Sequence, residues 1–283
     1  MTDKTGDCRA ALPVGIFDSG MGGLTVLAAL LKRLPREAYH YLGDTARLPY
    51  GTKSRGTILR YSLQTTEKLV ERGIKLLVVA CNTATAAALP ELQKAYAPLP
   101  VIGVVEPGAA AACKALSGSG RGGTIMVLAT ESTIKGGAYA RAIKARRPEA
   151  EVLGVPCTLF VPLAEEGWMD GDIARAIARR YLAPYLASGS KPDCMVLGCT
   201  HFPPLAPAIA AVAGREVIMV DSAATTAEAV EQELTRLAML RPAASPDGEL
   251  HFLTTDAPDR FARVGGLFLN REICADDIEL VVL

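Results

Sequence analysis

IKLLVVACNTA (residues 74–84) and CMVLGCTHF (residues 194–202) each run from an apolar stretch through a cysteine into polar residues. Each predicts a buried parallel strand that ends at Cys81 or Cys199 and is followed at once by a helix. Open α/β sheets place their chemistry at the carboxyl ends of their strands, so both thiols are candidate functional groups. Because helix N–H groups and the helix dipole favour thiolate, we expect a lowered pKa for each. One such thiol in each half suggests a base on each side of one substrate atom.

The rest of the chain alternates short apolar runs with amphipathic segments. Strands are predicted at 14–17, 39–42, 74–80, 101–105, 124–128, 152–155, 195–197 and 217–220, and helices at 23–34, 56–72, 83–96, 136–145, 172–186 and 223–240. The order starts again after the fourth strand, which predicts two similar, doubly wound α/β domains with parallel sheets. We assign 1–105 with 217–283 to the first domain and 106–216 to the second, and expect the segment 249–283 to be rich in β-structure.

Composition excludes several classes of protein. The net charge is zero and no Lys/Arg run stands out, so a nucleic-acid partner is not expected. No apolar stretch approaches the roughly 20 residues of a membrane span, and the polar first residues lack the apolar core of a secretory signal. Seven cysteines are an odd number and do not suggest a disulfide framework. A cytoplasmic protein fits these features best.

A glycine-rich turn, DSGMGG (residues 18–23), follows the first predicted strand. Taken alone, it favours a tight turn in which Asp18 or Ser19 caps the next helix. Alternatively, Asp18 binds an ammonium group or orients a thiol, while Ser19 binds a carboxylate. A phosphate loop is disfavoured, since the motif lacks the Gly-Lys-Ser/Thr ending and Asp18 would repel phosphate.

Other polar positions leave two interpretations open. In GDTARLPYG (residues 43–51), Asp44 and Arg47 suggest an ion pair that stabilises the loop, while Tyr50 and Gly51 could offer backbone N–H groups to an anion. Glu165 would ordinarily be interpreted as an acidic residue in a surface loop. Thr130 and Thr133 would ordinarily be interpreted as helix N-caps.

Cys199-Thr200-His201 is the most specific local constellation. His201 is one of only three histidines and lies beside a cysteine at a strand end, so a functional role is favoured over a structural one. A metal site is not predicted, because no set of four ligands at a suitable spacing is visible.

Taken together, these segments resemble the glutamate racemases of the cofactor-independent aspartate/glutamate racemase superfamily. The matching blocks are FDSGMGGL (17–24), YLGDTARLPYGTKS (41–54), ACNTATA (80–86), GVVEPG (103–108), TLFVPLAEEG (158–167), LGCTHFPPL (197–205) and VDS (220–222). So many blocks in one order make the resemblance specific.

The resemblance implies a role for each position. Cys81 and Cys199 match the two catalytic bases, Asp18 and Glu165 the carboxylates that assist them, and His201 the third assisting group. Substrate contacts fall on Asp18, Ser19, Tyr50, Gly51, Asn82, Thr83, Thr130, Thr133, Thr200 and His201. It also implies two domains facing each other across a cleft, glutamate as substrate, no cofactor and no metal, a homodimer, and D-glutamate made for peptidoglycan.

The chemistry explains the pair of thiols on its own terms. Inverting an α-carbon requires a proton to leave one face and another to arrive at the opposite face, and one base cannot reach both. Because no pyridoxal-type lysine motif is evident, N–H dipoles in a water-poor cleft must stabilise the carbanion.

Three alternatives remain at this stage. One is a racemase of the same superfamily acting on aspartate, against which the Asp18-Ser19-Gly20 and Cys199-Thr200-His201 blocks argue. Another is a binding or regulatory protein, since some family members act on DNA gyrase, although nothing in the sequence bears on that interaction. A thiol redox or metal-binding protein would need a C-x-x-C motif, which is missing.

Overall fold

The structure is a computed structural model that describes residues 9–116, 122–186 and 191–283. Its strands form two sheets, and every described strand pair is parallel. The first sheet contains β1 (Val14–Asp18), β2 (Tyr39–Gly43), β3 (Leu76–Val79), β4 (Val101–Gly103), β9 (Leu250–Thr254) and β10 (Ile278–Leu280). The second contains β5 (Thr124–Ala129), β6 (Glu151–Pro156), β7 (Cys194–Gly198) and β8 (Ile218–Asp221). The predicted α/β fold with two parallel sheets is confirmed.

Helices connect the strands. They are α1 (Leu24–Arg33), α2 (Arg55–Val70), α3 (Asn82–Ala95), α4 (Val105–Ala115), α5 (Glu131–Gly136), α6 (Ala138–Arg146), α7 (Phe160–Glu165), α8 (Asp172–Leu186), α9 (Ala206–Ala213), α10 (Ser222–Arg236) and α11 (Pro258–Leu269). Short 3₁₀ turns lie at Thr45–Arg47, Tyr50–Thr52, Pro203–Leu205 and Ala275–Asp277.

The two sheets repeat one topology. The order β2-β1-β3-β4 in the first matches β6-β5-β7-β8 in the second. In each sheet the second strand in chain order pairs on one side of the first strand, and the third strand pairs on its other side. The crevice therefore opens between β1 and β3, and again between β5 and β7, at the carboxyl ends of the strands. Cys81 and Cys199 follow β3 and β7, so they occupy equivalent positions in the two halves.

Burial on both faces explains why the central strands are short, continuous runs of apolar residues. β1, β3 and β7 are buried at every position, as expected for parallel strands covered by helices on both faces. One hydrophobic cluster includes residues of both sheets. Helix α10 packs against α1, from the first half, and against α4, which lies on the second sheet. The two halves are thus joined by a shared apolar core.

Four sequence predictions are corrected. The helix predicted directly after Cys199 is wrong, because a turn and the 3₁₀ turn Pro203–Leu205 precede α9. The boundary at residue 217 is wrong, because β8 pairs with β7 and so belongs to the second sheet. The segment 249–283 contributes β9 and β10 to the first sheet but also contains α11, so it is not chiefly β-structure. The strand predicted at 101–105 ends at Gly103, and Val105 opens α4.

Among the described residues, no helix has both the length and the apolar character needed to cross a membrane.

A buried ion pair fastens the edge of the first sheet opposite the thiols. The Lys75 ammonium donates to the Glu37 carboxylate and to the carbonyl oxygens of Ala10 and Met239, at 2.7 and 2.9 Å. Glu37 also accepts from the backbone N–H of Arg241 at 2.8 Å. Both side chains of the pair are almost fully buried. Burial lowers the pKa of Lys75, and the Glu37 carboxylate opposes that shift.

Replacing Lys75 by Met should therefore destabilise the fold strongly, because it leaves the Glu37 carboxylate buried without its counter-charge. Loss of one partner of a buried pair costs about 3–5 kcal/mol. Urea unfolding followed by circular dichroism measures the change. The double variant Lys75→Met with Glu37→Leu should recover part of the loss. A single-variant effect under about 1 kcal/mol, the value of an exposed pair, would contradict this account.

Candidate active site

Both cysteines line one cavity of about 210 Å³ between the two sheets, here called the interdomain cavity. It is smaller than the roughly 300–1,000 Å³ of drug-sized ligand sites, so it suits a small molecule. The sequence-predicted residues that line it are Ser19, Tyr50, Gly51, Cys81, Asn82, Thr83, Thr130, Cys199, Thr200 and His201. Asp18, Thr133 and Glu165 do not line it, but Thr133 contacts Thr83 and Glu165 contacts His201, both of which do. The strand ends of both halves therefore meet at a single site.

Cys81 occupies the N-cap of α3, where its sulfur accepts a hydrogen bond from the N–H of Ala84 at 3.4 Å. Its thiol also donates to the Ser19 hydroxyl at 3.6 Å. Burial, and then the neighbouring Asp18 carboxylate, raise the pKa of Cys81 to about 12, although the Ala84 N–H opposes the shift. The expected lowering of this pKa is therefore wrong: desolvation outweighs the helix N-terminus. A pKa this high favours the thiol form of Cys81.

Cys199 begins a chain of polar contacts. Its sulfur lies 3.9 Å from Nδ1 of His201, and Nε2 of His201 lies 3.1 Å from Oε1 of Glu165. Nη2 of Arg260 donates to the other carboxylate oxygen of Glu165 at 2.7 Å. Thiol, imidazole, carboxylate and guanidinium thus form a relay that runs from the interdomain cavity to the surface.

The relay favours a charged imidazole. Burial would lower the pKa of His201, but hydrogen bonds to Cys199 and Glu165, with the charges of Cys199 and Asp18, raise it to about 10. Burial would raise the pKa of Glu165, yet His201 and then Arg260 hold it below its ordinary value. An imidazolium beside a sulfur stabilises thiolate, and the geometry places the His201 imidazole next to the Cys199 sulfur.

Asp18 ends β1 and is fully buried. One of its oxygens accepts from the N–H of Gly20 at 3.0 Å, while Oδ1 has no partner among the described residues. Neither Asp18 nor Ser19 caps α1, which starts after Gly23 without a side-chain cap, so the capping interpretation is wrong. Burial raises the pKa of Asp18, opposed by the charge of His201 and by backbone N–H groups.

Three threonine hydroxyls connect the halves. Thr83, at the start of α3, lies 2.9 Å from Thr130 and 3.1 Å from Thr133, and these two lie 3.0 Å apart. Thr130 and Thr133 belong to the turn and helix after β5. The three hydroxyls hold the first turns of α3 and α5 together at one wall of the interdomain cavity.

Asn82 is fixed through its carbonyl oxygen, which accepts from the Tyr139 hydroxyl at 2.7 Å. Its amide nitrogen is buried and has no partner in the part of the chain that the structure describes. A donor on Asn82 and an acceptor on Asp18 are thus left unpaired at this site. Buried polar groups without a hydrogen-bond partner cost free energy unless a ligand supplies the partner. A molecule with both a carboxylate and an ammonium group could pair with the Asn82 donor and the Asp18 acceptor.

One of the two predictions for the loop after β2 is confirmed. Asp44 and Arg47 form the predicted ion pair, at 2.7 Å. The Tyr50 hydroxyl also donates to Asp44, so it is engaged within the loop and is not free for a ligand, although Tyr50 and Gly51 line the interdomain cavity.

Sequence reasoning missed Arg260, Tyr139 and the lining residues Thr158, Leu159 and Pro162. Tyr139 and Arg260 lie 57 and 95 positions from the side chains they contact, and nothing local marks them as partners. The sequence offered no set of metal ligands at a suitable spacing. Within the described ranges, no three His, Cys, Asp or Glu side chains cluster in a way that could hold a metal ion.

Comparison with known proteins places these features in a family. The model of the Asp/Glu/Hydantoin racemase family matches residues 22–230. The glutamate racemase of Geobacter metallireducens is 52% identical over 260 residues, covering 92% of this chain and 93% of that protein. The glutamate racemase of Syntrophus aciditrophicus is 43% identical over 261 residues, covering 92% and 94%. The crystal structure of glutamate racemase from Francisella tularensis in complex with D-glutamate superimposes with a TM-score of 0.87 at 35% identity, covering 96% and 98%.

The opposite shifts of two histidines give a direct test of the relay. His201 should titrate near pH 10, whereas burial, with the charges of His251 and Arg72, lowers the pKa of His40. Nuclear magnetic resonance of ¹⁵N-labelled imidazoles, assigned with a His201→Asn variant, measures both. Glu165→Gln should lower the His201 midpoint, because the carboxylate that stabilises the imidazolium is gone. A His201 midpoint at or below that of His40 would contradict the relay.

Proposed function

The chain belongs to the Asp/Glu/Hydantoin racemase family, and to the glutamate racemases within it, and we propose that it interconverts L- and D-glutamate with Cys81 and Cys199 as its two bases. The observation that carries the proposal is the meeting of two thiols, from equivalent strand ends of the two halves, in one cavity sized for a small molecule. A proton removed from one face of the α-carbon by one thiol is replaced at the opposite face by the other.

Glutamate is favoured over aspartate as the substrate. The relatives compared above are glutamate racemases, and the Francisella enzyme was crystallised with D-glutamate. The unpaired Asp18 carboxylate oxygen offers an acceptor to the substrate ammonium, and the Asn82 amide offers a donor to a carboxylate. Polar groups spaced for the longer substrate would be left unpaired by the shorter one.

The two thiols divide the work by enantiomer. We assign proton removal from L-glutamate to Cys199, assisted by His201 and Glu165, and removal from D-glutamate to Cys81, assisted by Asp18. The contact between the Cys199 sulfur and His201, contrasted with the raised pKa of Cys81, supports this division of roles. Cys199 is placed to take a proton from L-glutamate, and the Cys81 thiol to deliver one to the opposite face.

Charge on the α-carbon must be stabilised without bulk water. The N–H groups at the start of α3 surround Cys81, and Asn82 adds a side-chain donor. Such fixed dipoles in a dry cavity stabilise developing negative charge without reorganisation. When D-glutamate binds, its ammonium would lie near Asp18 and reduce the electrostatic cost of Cys81 thiolate.

The wider role follows from the same proposal. D-glutamate made by this reaction would enter peptidoglycan synthesis, which places the protein in the cytoplasm, where glutamate is available and thiols stay reduced. We propose that the reaction uses neither cofactor nor metal, and that the protein acts as a homodimer.

Substrate choice is testable with purified protein and no added cofactor. L-glutamate should racemise, with the circular dichroism signal decaying to zero, and L-aspartate should react at least about 100-fold more slowly, since mispaired buried polar groups discriminate strongly. Prior dialysis against a chelator serves as the control for a bound metal. Equal rates on both amino acids would contradict the glutamate assignment, and dependence on pyridoxal phosphate would contradict the mechanism.

Replacing either thiol by Ala should abolish racemisation, because each turnover uses both faces. The loss should reach the upper end of the about 10²–10⁴-fold range for a general base. The equilibrium constant of racemisation is one, so kcat/KM must fall equally for both enantiomers and cannot separate the two roles. Elimination of chloride from 3-chloroglutamate can, because it requires only one base.

Cys199→Ala should therefore keep chloride release from the D-enantiomer and lose it from the L-enantiomer, and Cys81→Ala should do the reverse. Unfolding profiles matching the wild type are the control for folding. If both variants handle both enantiomers equally, the assignment of one thiol to each face is wrong.

A further inference from the structure

We propose that Arg260 is a positioning residue for the Cys199 side of the reaction: it holds Glu165, and through it His201, in the orientation that keeps Cys199 reactive toward the L-enantiomer. The inference rests on the proposed function and extends it to a residue far from the reacting atoms. Arg260 does not line the interdomain cavity, so its effect must pass through the relay.

The contact geometry links Arg260 to the thiol in three steps. Its Nη2 lies 2.7 Å from Oε2 of Glu165, while Oε1 of the same carboxylate lies 3.1 Å from Nε2 of His201. The two oxygens of Glu165 are thus divided between guanidinium and imidazole. Fixing one oxygen fixes the plane of the carboxylate, and hence the direction in which the other accepts from His201.

Helix α11 supports the relay at a second point. Phe268, two turns after Arg260, packs its ring edge-on against the His201 imidazole, with ring centroids 5.1 Å apart. Phe261 and Val264, on the same face of the helix as Phe268, are buried with it in the shared core. A helix that follows a strand of the first sheet therefore positions two groups that belong to the second half.

The charges around Glu165 determine how the contact with Arg260 affects the site. Glu165 is faced by His201 and Arg260, while Asp18 and Cys199 face His201 from the other side. With Arg260 present, the carboxylate stays ionised and keeps the imidazole protonated. Without it, Glu165 is free to turn toward solvent, since its side chain is 12% exposed and the guanidinium that covers it is gone.

The asymmetry of the relay gives a sharp test. In Arg260→Gln, chloride release from the L-enantiomer of 3-chloroglutamate should fall by roughly tenfold, the low end for a charge-assisted hydrogen bond because Arg260 is partly exposed. Release from the D-enantiomer should stay within about twofold, since Cys81 and Asp18 are untouched. The acid limb of the L-side pH profile should move to higher pH, because Glu165 loses the charge that lowers its pKa.

Matched variants separate positioning from a general structural role. Arg263→Gln removes an exposed arginine from the same helix and should leave both rates unchanged. Arg260→Lys keeps the charge and should restore most of the L-side rate. Glu165→Gln should cause at least as large an L-side loss, and adding Arg260→Gln to it should cost little more, since both changes act through one carboxylate.

Equal losses for both enantiomers, or no loss for either, would overturn the inference, since the first indicates a general role in domain closure and the second no role. Cys199→Ala is measured beside these variants. If it retains L-side elimination, the proposed function fails, and this inference with it. If only Arg260→Gln departs from expectation, the proposed function stands and the positioning role is wrong.

Discussion

The cost of holding charge away from water governs this site. Cys81, Asp18 and His201 are almost fully buried, so each ionised form needs a partner within the protein or the substrate. At His201, contacts with Glu165 and Cys199 favour the charged imidazole, and Arg260 helps to hold the pKa of Glu165 below its ordinary value. At Cys81, burial and the Asp18 carboxylate raise the pKa and favour the neutral thiol. Two chemically identical thiols therefore lie in different electrostatic surroundings.

The repeated topology explains how two thiols come to line one cavity. Each half provides a switch point between its first and third strands, and a cysteine follows the third strand in both. Two such sheet edges, held together by α10 and by the threonine hydroxyls at the starts of α3 and α5, enclose a single cavity. The proposed reaction requires bases on opposite sides of a carbon, and the repeat supplies one thiol from each half to the same cavity.

Much of this follows from the sequence because it is local. A buried strand that ends at Cys81 or Cys199 can be recognised from a dozen residues. The missing parts depend on distant contacts. Strand β8 is half-exposed, so nothing in its pattern states which sheet it joins. Helix α11 contains Gly265, where an added Cβ would lie 2.6 Å from Leu24, so close helix packing requires a residue that weakens the helical signal. The raised pKa of Cys81 depends on burial, which only the assembled cavity creates.

The central claim, that the two thiols act on opposite faces of one carbon, is tested most directly by racemisation of L-glutamate in D₂O, stopped after a few per cent conversion. The α-hydrogen of each enantiomer is then analysed by mass spectrometry after chiral separation. The account predicts that the new D-glutamate carries solvent deuterium, because the opposing thiol has equilibrated with solvent, while the remaining L-glutamate keeps its proton. D-glutamate that retains the substrate proton would contradict it, because one base would then have served both faces.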